Sequence, residues 1–335
     1  MKKLIEIKNN QPRQIRIQYD IGNLCNYKCW YCFPGSNEGT HPFPDVEVVK
    51  HNLVALIKHY RASGMIDDIQ LNFLGGEPTL WRELGTLVEY VKEHAPCHIS
   101  MQSNGARTLR WWKEYGHYFD HVSISVHHER CDIEHVKQVC DILIDQKVSV
   151  LGNVLMDHTA WDKCIGLVDS LMETKNKFMI LAKPININGV VTYNEEQMEY
   201  LKTSCKRRPS WWLVMRHLNR YSRIPKFTAI YDNGEKVNIK TDHYFIVNLL
   251  NRFEGWDCSV GINFLNINRE GYLQGTCQQT LYGLDFKYNI NDLDFPEKFK
   301  PNLQTVTCQQ KMCLCAGETV INKKAPVVEL VDTQR

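Results

Sequence analysis

Short runs with the residue pattern of β-strands alternate with amphipathic runs of helical length from residue 15 to residue 185. Strands are predicted at residues 15–21, 69–74, 98–102, 122–126, 148–156 and 178–185, and helices at 44–63, 80–94, 109–118, 133–145 and 161–173. Strands that alternate with helices of this length form right-handed βαβ units around a parallel sheet. About six units are present, and a closed barrel needs eight. We therefore expect an α/β fold, an open and partial (β/α)6 TIM-like barrel.

The regular alternation stops after about residue 200. Residues 205–226 carry seven lysines or arginines, no acid, and the aromatic residues Trp211, Trp212 and Tyr221. Turn signals at Asn233-Gly234 and at residues 268–271 predict two β-hairpins. Cysteines at 258, 277, 308, 313 and 315 then predict a small β-rich module with metal-ligating cysteines. We divide the chain into a core barrel (1–204), a basic and aromatic linker with a hairpin (205–255), and the small module (256–335).

The composition is that of an ordinary globular protein, with 43% apolar and 23% charged residues. No apolar run approaches the ~20 residues of a membrane span, and the first residues lack the apolar stretch of a signal peptide. The net charge of +2 is too small to indicate a nucleic-acid partner by itself. Thirteen cysteines cannot all pair within one chain, and their clustering is typical of metal ligation in a reducing compartment. We expect a cytoplasmic protein that contacts no membrane.

Three cysteines, Cys25, Cys29 and Cys32, lie directly after the first predicted strand. A cubane [4Fe–4S] cluster has four irons and is usually held by four thiolates. Three local cysteines would leave one iron without a protein ligand, and an open position distinguishes a catalytic metal site from a structural one. The alternative is a zinc knuckle or a chance cluster of cysteines.

The run Gly75-Gly76-Glu77-Pro78 closes the second predicted strand. In a parallel βα fold, ligands bind at the carboxyl ends of the strands. Together with the Cys-x3-Cys-x2-Cys spacing, this run resembles the signatures of the radical S-adenosylmethionine (radical SAM) superfamily. The resemblance implies a [4Fe–4S] cluster on Cys25, Cys29 and Cys32, with S-adenosyl-L-methionine (SAM) chelated by the open iron. It also implies that the GGEP backbone and glutamate bind the methionine amino group of SAM.

The same resemblance implies a reaction. The reduced cluster passes one electron to SAM, which is cleaved to methionine and a 5′-deoxyadenosyl radical, and the radical abstracts a hydrogen from the substrate. An electron donor such as flavodoxin or ferredoxin is then a partner. The protein contributes orientation and the exclusion of side reactions.

Further residues at the ends of predicted strands or beside the cysteines are candidates for contacts with SAM. The resemblance implies Tyr31 at the adenine, Ser103, Asn104 and Ser125 at the carboxylate and ribose, and Asn153 and Ile185 at the ribose and adenine. Each also fits an ordinary strand-end polar or core position. His127 and His128 stand where many relatives carry an aspartate, and they are either titratable groups at the active-site mouth or solvated loop residues.

The C-terminal cysteines have a resemblance of their own. Cys258, Gly271 and Cys277 resemble the start of the auxiliary-cluster extensions called SPASM and twitch domains, with one additional residue between the glycine and the second cysteine. Five cysteines fill one auxiliary [4Fe–4S] cluster but not two. The expected ligands are Cys258, Cys277, Cys313 and Cys315, with Cys308 as the main competitor. The alternative is a zinc site on the same thiolates.

The resemblance to auxiliary-cluster enzymes implies modification or rearrangement of an amino-acid-like or peptide substrate, although some of these enzymes act on small molecules. Only about 14 residues precede the first predicted strand. A leader-peptide-binding domain does not fit there, which weakens the peptide interpretation unless a partner protein supplies that function.

The basic and aromatic segment 205–226 favours an alternative substrate, a nucleotide or a nucleic-acid base. Lysine and arginine neutralise phosphates, and aromatic rings stack on bases. The same residues also fit a helix with a buried aromatic face. The run Cys25-Asn-Tyr-Lys-Cys29 is similar to that of viperin-like enzymes, which act on a nucleotide but lack the C-terminal cysteines. An alternative of another class is a non-catalytic iron–sulfur or zinc module, which would not need the GGEP turn.

Overall fold

The computed structural model describes residues 2–10, 13–32, 34–174, 178–185, 193–204, 227–239, 244–245, 248–274, 288–301, 303–309, 311–313 and 321–326. The basic segment 205–226, Cys277 and Cys315 lie outside these ranges, so the interpretations of these residues stay predictions.

An eight-stranded sheet forms the main body of the described chain. Numbered along the chain and given in spatial order, its strands are β12 (Leu273–Gln274), β11 (Phe264–Ile267), β2 (Gln14–Asp20), β3 (Asp68–Leu74), β4 (His98–Ser103), β5 (His121–Val126), β6 (Ser149–Met156) and β7 (Met179–Pro184). Neighbours pair in parallel from β11 to β7, so seven of the strands form a parallel sheet. The α/β class is confirmed, and each of the six predicted strands is found with its ends shifted by about one residue at most.

The seventh parallel strand, β11, was not predicted as part of this sheet. Its hairpin with β12 follows the turn signal, and Gly271 adopts the left-handed conformation with φ +89°. However, β11 also pairs in parallel with β2, where Phe264 is opposite Arg16. A strand from the C-terminal part of the chain therefore covers the edge of β2 that the six βα units leave unpaired.

Helices follow the strands of the parallel sheet. They are α1 (Val46–Ala62), α2 (Leu84–His94), α3 (Leu109–Tyr115), α4 (Ile133–Asp145), α5 (Trp161–Met172) and α6 (Glu195–Ser204), and a short α7 (Phe295–Lys298) comes later. The side chain of Asp45 caps α1 by accepting from the Glu47 N–H at 2.8 Å. Two helices are shorter than predicted, because the turns at Pro78–Leu80 and Gly116–Tyr118 are 3₁₀ rather than α-helical.

The two faces of the parallel sheet differ in polarity. On β2, the side chains of Ile15, Ile17 and Tyr19 are buried in one apolar cluster with residues from α1 to α5. The alternate positions form a polar face, which contains Arg16, Gln18, Gln70, Asn72, Ser100, Gln102, Ser123, Ser125 and Asn153. Across this face, Ser100 Oγ donates to Asn72 Oδ1 at 2.9 Å. We call it the polar inner face, since it lies opposite the helices.

A second, antiparallel sheet joins the two ends of the described chain. In spatial order its strands are β13 (Val306–Thr307), β10 (Asp257–Cys258), β14 (Lys323–Lys324), β1 (Leu4–Asn9), β8 (Phe227–Tyr231) and β9 (Lys236–Ile239). The hairpin of β8 and β9 follows the Asn233-Gly234 turn signal, and Gly234 has φ +83°. Strand β1 was not predicted, because its partners come more than 200 residues later: Glu6 is opposite Ile230. The division of the chain at residues 204 and 255 stays a prediction.

None of the helices in the described ranges combines the length and the apolar character needed to cross a membrane.

Candidate active site

The cysteine loop, residues 21–41, leaves the carboxyl end of β2 and carries Cys25, Cys29 and Cys32. Cys29 is buried, and the other two cysteines are half-buried. The Tyr27 backbone N–H donates to Cys25 Sγ at 3.3 Å. Burial raises the pKa of Cys25 and raises the pKa of Cys29 to about 12. These groups are neutral thiols at pH 7, and each must lose its proton to bind a metal.

The donor set of this loop fits an iron–sulfur cluster. Thiolates are soft ligands that suit iron–sulfur clusters and zinc. In a cubane cluster each thiolate binds a different iron, so three cysteines on one loop are suitable ligands.

The Gly75-Gly76 turn at the end of β3 packs directly on the backbone of the cysteine loop. The Gly76 N–H donates to Gly22 O and the Glu77 N–H donates to Leu24 O, both at 2.8 Å. A Cβ atom on Gly76 would lie 2.2 Å from Leu24 O, and one on Gly75, where φ is +137°, would lie 2.4 Å from Gly22 O. The close approach that requires glycine here is therefore to the protein's own loop, a reason that the sequence did not reveal.

The Glu77 carboxylate ties the carboxyl ends of β3 and β4 together. Glu77 is 1% exposed, and its Oε1 accepts from Thr79 N–H at 3.1 Å, Thr79 Oγ1 at 2.6 Å and Ser103 Oγ at 2.8 Å. Its Oε2 accepts from the Asn104 N–H at 2.6 Å. Burial raises the pKa of Glu77, and the hydrogen bond from Asn104 opposes that shift. Pro78 begins the 3₁₀ turn that holds this arrangement.

Asn104 also connects β4 to the cysteine loop. Its Nδ2 donates to Asn26 Oδ1 at 2.8 Å, next to Cys25 in the sequence. Glu77, Ser103 and Asn104, which were predicted separately, are therefore in contact with one another and adjoin the loop.

Ser125 and Asn153 are opposite each other on β5 and β6. Asn153 Nδ2 donates to Ser123 Oγ at 2.6 Å, whereas its Oδ1 is buried and has no hydrogen-bond partner among the described residues. Such a buried acceptor suits a ligand hydroxyl or N–H group. Ile185 follows β7, and its backbone N–H donates to the Tyr193 hydroxyl at 2.7 Å.

Tyr31, the expected adenine neighbour, stacks on His127 at the end of β5. The ring centroids are 5.7 Å apart with an interplanar angle of 9°, and the Tyr31 hydroxyl lies 3.0 Å from His127 Nδ1. The same nitrogen is 3.3 Å from Cys29 Sγ. Burial lowers the pKa of His127 to about 4, so the imidazole is neutral at pH 7. His127 is therefore a half-buried neighbour of a candidate cluster ligand and not a solvated loop residue.

Asp157 is a neighbour of the cysteine loop that the sequence reasoning missed. It follows β6 directly, is fully buried, and accepts from Trp30 Nε1 at 2.9 Å. His128 Nε2 lies 3.8 Å from the same carboxylate. The available signal was its place at the carboxyl end of a parallel strand, where ligand sites form.

The described C-terminal cysteines, Cys258, Cys308 and Cys313, are buried in the apolar cluster of the second sheet. The Cys308 N–H donates to Trp256 O at 2.7 Å. The Cys313 N–H donates to Asn251 O, and Asn251 Nδ2 returns a bond to Cys313 O, both at 2.8 Å. These bonds fix Cys308 and Cys313 on neighbouring segments, while a cysteine-ligated module and an auxiliary cluster stay predictions.

Comparison with known families and proteins agrees with this arrangement. Residues 19–152, from the end of β2 into β6, match the family model of the Radical SAM superfamily. One relative is the S-adenosylmethionine-dependent nucleotide dehydratase RSAD2 of Danio rerio, 28% identical over 187 residues that cover 54% of this chain and 44% of the relative. Another is the GTP 3′,8-cyclase of Haemophilus ducreyi (strain 35000HP / ATCC 700724), 28% identical over 110 residues that cover 32% of this chain and 31% of the relative. The chain thus spans less than half the length of these two curated relatives.

Among solved structures, the one described as "Native anSMEcpe with bound AdoMet and Kp18Cys peptide" has a TM-score of 0.53 to this chain at 16% sequence identity. The match covers 86% of this chain and 81% of that chain. At this identity the likeness concerns the fold alone, and it agrees with a partial barrel.

Proposed function

We propose that this chain is a radical SAM enzyme in which Cys25, Cys29 and Cys32 hold a [4Fe–4S] cluster whose open iron chelates SAM. When bound, the cluster supplies one electron to SAM, whose C5′–S bond breaks, and a substrate hydrogen atom moves to C5′. The observation that carries the proposal is the Gly75–Pro78 turn, which is hydrogen-bonded onto the cysteine loop at the carboxyl edge of the sheet. The relatives named as enzymes disfavour the non-catalytic alternative.

The residues around the loop have distinct parts in this proposal. The Tyr27 N–H donates to Cys25 Sγ and would orient that thiolate. Ser125 and the free Asn153 Oδ1 offer hydrogen-bonding groups for the ribose of SAM. The GGEP turn and the neighbouring Asn104, which are hydrogen-bonded to each other, would lie beside the methionine part of SAM.

We propose a nucleotide-like substrate as the first candidate. The polar inner face offers amide and hydroxyl groups on neighbouring strands, among them Gln18, Asn72, Gln102 and Ser123. Such groups recognise the many donors and acceptors of a base and a sugar. The names of both sequence relatives refer to nucleotide substrates. The basic segment 205–226 would supply the contacts to phosphates.

An amino-acid-like or peptide substrate is the second candidate. The specific observation in its favour is the burial of Cys258, Cys308 and Cys313 in one apolar cluster, which is consistent with an auxiliary cluster there. We propose that cluster on Cys258, Cys277, Cys313 and Cys315, with Cys308 as the competitor. A flavodoxin or ferredoxin would supply electrons in either case.

Reductive SAM cleavage tests the core of the proposal. Anaerobically reconstituted protein, reduced with dithionite and supplied with SAM, should form methionine and 5′-deoxyadenosine. Cys29→Ala should abolish this cleavage, whereas Cys140→Ala, a buried thiol in α4 far from the loop in sequence, should retain it. Equal cleavage by wild type and Cys29→Ala would contradict the assignment.

Substrate class is tested by deuterium transfer. Deuterated nucleoside triphosphates and deuterated peptides are each added to the reduced enzyme, and 5′-deoxyadenosine is analysed by mass spectrometry. Deuterium from the nucleotide alone supports the first candidate, and deuterium from the peptide alone supports the second. Iron analysis should give about eight irons per chain if both clusters form and about four if the auxiliary cluster is absent.

A further inference from the structure

Arg269 contacts both ends of the segment that carries the three cysteines. It lies in the turn between β11 and β12, where the Gly271 N–H donates to Asn268 O at 2.8 Å. Its Nη1 donates to Gly35 O at 2.5 Å, and its Nη2 lies 3.3 Å from Asp20 Oδ2. Asp20 is the last residue of β2, and Gly35 follows Cys32 by three positions. One guanidinium therefore joins the chain where it enters the cysteine segment and where it leaves it.

The surroundings favour a strong contact. The side chains of Arg269 and Asp20 are only 15% and 17% exposed. Arg269 Nη2 also donates to Ser36 Oγ at 3.3 Å. A planar guanidinium can serve several acceptors in fixed directions, which a lysine ammonium cannot reproduce. Hydrogen bonds of this charged kind are about twice as strong as neutral ones.

Asn23 closes the same loop from the inside. It is fully buried, and its Nδ2 donates to Gly35 O at 2.8 Å, the carbonyl that Arg269 also contacts. Its backbone and side-chain oxygens accept from the Gly39 N–H at 3.1 Å and the His41 N–H at 2.8 Å. Gly35 O therefore accepts one hydrogen bond from within the loop, from Asn23, and one from the C-terminal hairpin, from Arg269.

Asp20 extends this contact to the GGEP turn. A Cβ atom on Gly75 would lie 2.9 Å from Asp20 Oδ1, so the carboxylate that Arg269 pairs with packs directly against that glycine. The hairpin also has a second link to the loop, because Glu270 Oε1 lies 3.0 Å from His41 Nε2.

We propose that Arg269 is a positioning residue that fixes the geometry of the cysteine loop and couples it to the C-terminal hairpin. The part of this inference that concerns the cluster rests on the proposed function; the part that concerns the loop stands without it. The residue acts through Asp20 and Gly35 and does not touch the reacting groups.

The test uses the variants Arg269→Gln and Arg269→Lys in the full chain, with Arg13→Gln as the matched control. Arg13 makes the same kinds of contact, to the Asp67 carboxylate and to Gly64 O at 3.0 Å, but at the opposite end of β2 and with side chains 57% and 64% exposed. Hydrogen exchange of the metal-free protein is measured at the Gly39 and His41 amides, and iron release to a chelator is measured after reconstitution.

Arg269→Gln should accelerate both hydrogen exchange at the two amides and iron release by about tenfold, because it removes roughly one charged hydrogen bond. Arg269→Lys should give an intermediate value, and Arg13→Gln should leave both rates unchanged. If Arg269→Gln does not fold, the hydrogen-exchange rates of Arg269→Lys show whether Arg269 holds the loop. Exchange in both Arg269 variants equal to that of Arg13→Gln would overturn the inference. If wild type takes up no iron at the loop, the proposed function fails, while the exchange rates still decide whether Arg269 holds the loop.

Discussion

Adding one methyl group at Gly76 should separate the GGEP turn from the cysteine loop. In Gly76→Ala the new Cβ would lie 2.2 Å from Leu24 O and 2.8 Å from the Asn23 carbonyl carbon, whereas real Cβ atoms essentially never come closer than 3.0 Å to such neighbours. The two backbones must therefore move apart by about 0.8 Å, since neither is a flexible side chain. The hydrogen bonds that join them, now 2.8 Å long, would stretch to about 3.6 Å and be lost.

The energetic cost follows from these contacts. Two lost backbone hydrogen bonds cost about 1 kcal/mol each, and strain in a tightly packed region adds about 1–3 kcal/mol. We expect Gly76→Ala to lower the free energy of unfolding by about 3–5 kcal/mol, a large part of the stability of a typical domain.

Gly166→Ala is the matched control, because it adds the same methyl group in α5 where, apart from the helix's own backbone, no atom of the described residues lies within 4 Å of the new Cβ. There the substitution should stabilise the protein by about 0.5–1 kcal/mol, since alanine is the better helix former. The assay is urea unfolding of the metal-free protein followed by circular dichroism. If Gly76→Ala unfolds at the wild-type urea concentration and loses only SAM binding, the glycine serves the ligand and our reasoning is refuted.

Two further predictions concern carboxylates, the half-buried Asp120 and the buried Glu77. Burial alone would raise the pKa of Asp120, but hydrogen bonds from its neighbours, with His98 first, bring it from 3.8 down to about 2. The stabilisation is fully present above pH 3.8 and is lost as the pH falls through about 2, so Asp120→Asn should cost about 1–2 kcal/mol at pH 7 and almost nothing below pH 2, measured by urea unfolding across this range. Glu77→Gln should cost about 2 kcal/mol, because the Asn104 N–H loses its acceptor. Glu83 is exposed, so the control variant Glu83→Gln should leave the unfolding midpoint unchanged. An equal loss of unfolding free energy in both variants would contradict the role of Glu77.

Local patterns in the sequence were sufficient to predict the barrel strands and the main motifs. Helix α4 has the predicted bounds, because its apolar spacing and the Asp132 cap lie within one continuous stretch. The cysteines and the GGEP run were recognisable because their chemistry depends on short spacings. By contrast, strand β1 and the pairing of β11 with β2 depend on partners more than 200 residues away, which no local pattern reveals.

Side-chain contacts between distant parts of the chain were missed for the same reason. Arg269 meets Gly35 across 234 positions, and Trp30 meets Asp157 across 127. Their roles are set by which segments the fold brings together. The contact of His127 with Cys29 was missed likewise, although the sequence had placed His127 near the active-site mouth.

The late arrival of β11 has a consequence for biosynthesis. Asn263, which leads into β11, contacts Gln14 across 249 positions. At a ribosomal rate of 5–20 residues per second, β2 waits roughly 12–50 s for that partner. During this time one edge of β2 has unpaired backbone groups and can pair with another chain. The nascent chain therefore carries an aggregation-prone edge until β11 has been made, and a fragment that ends at residue 204 would retain that edge permanently.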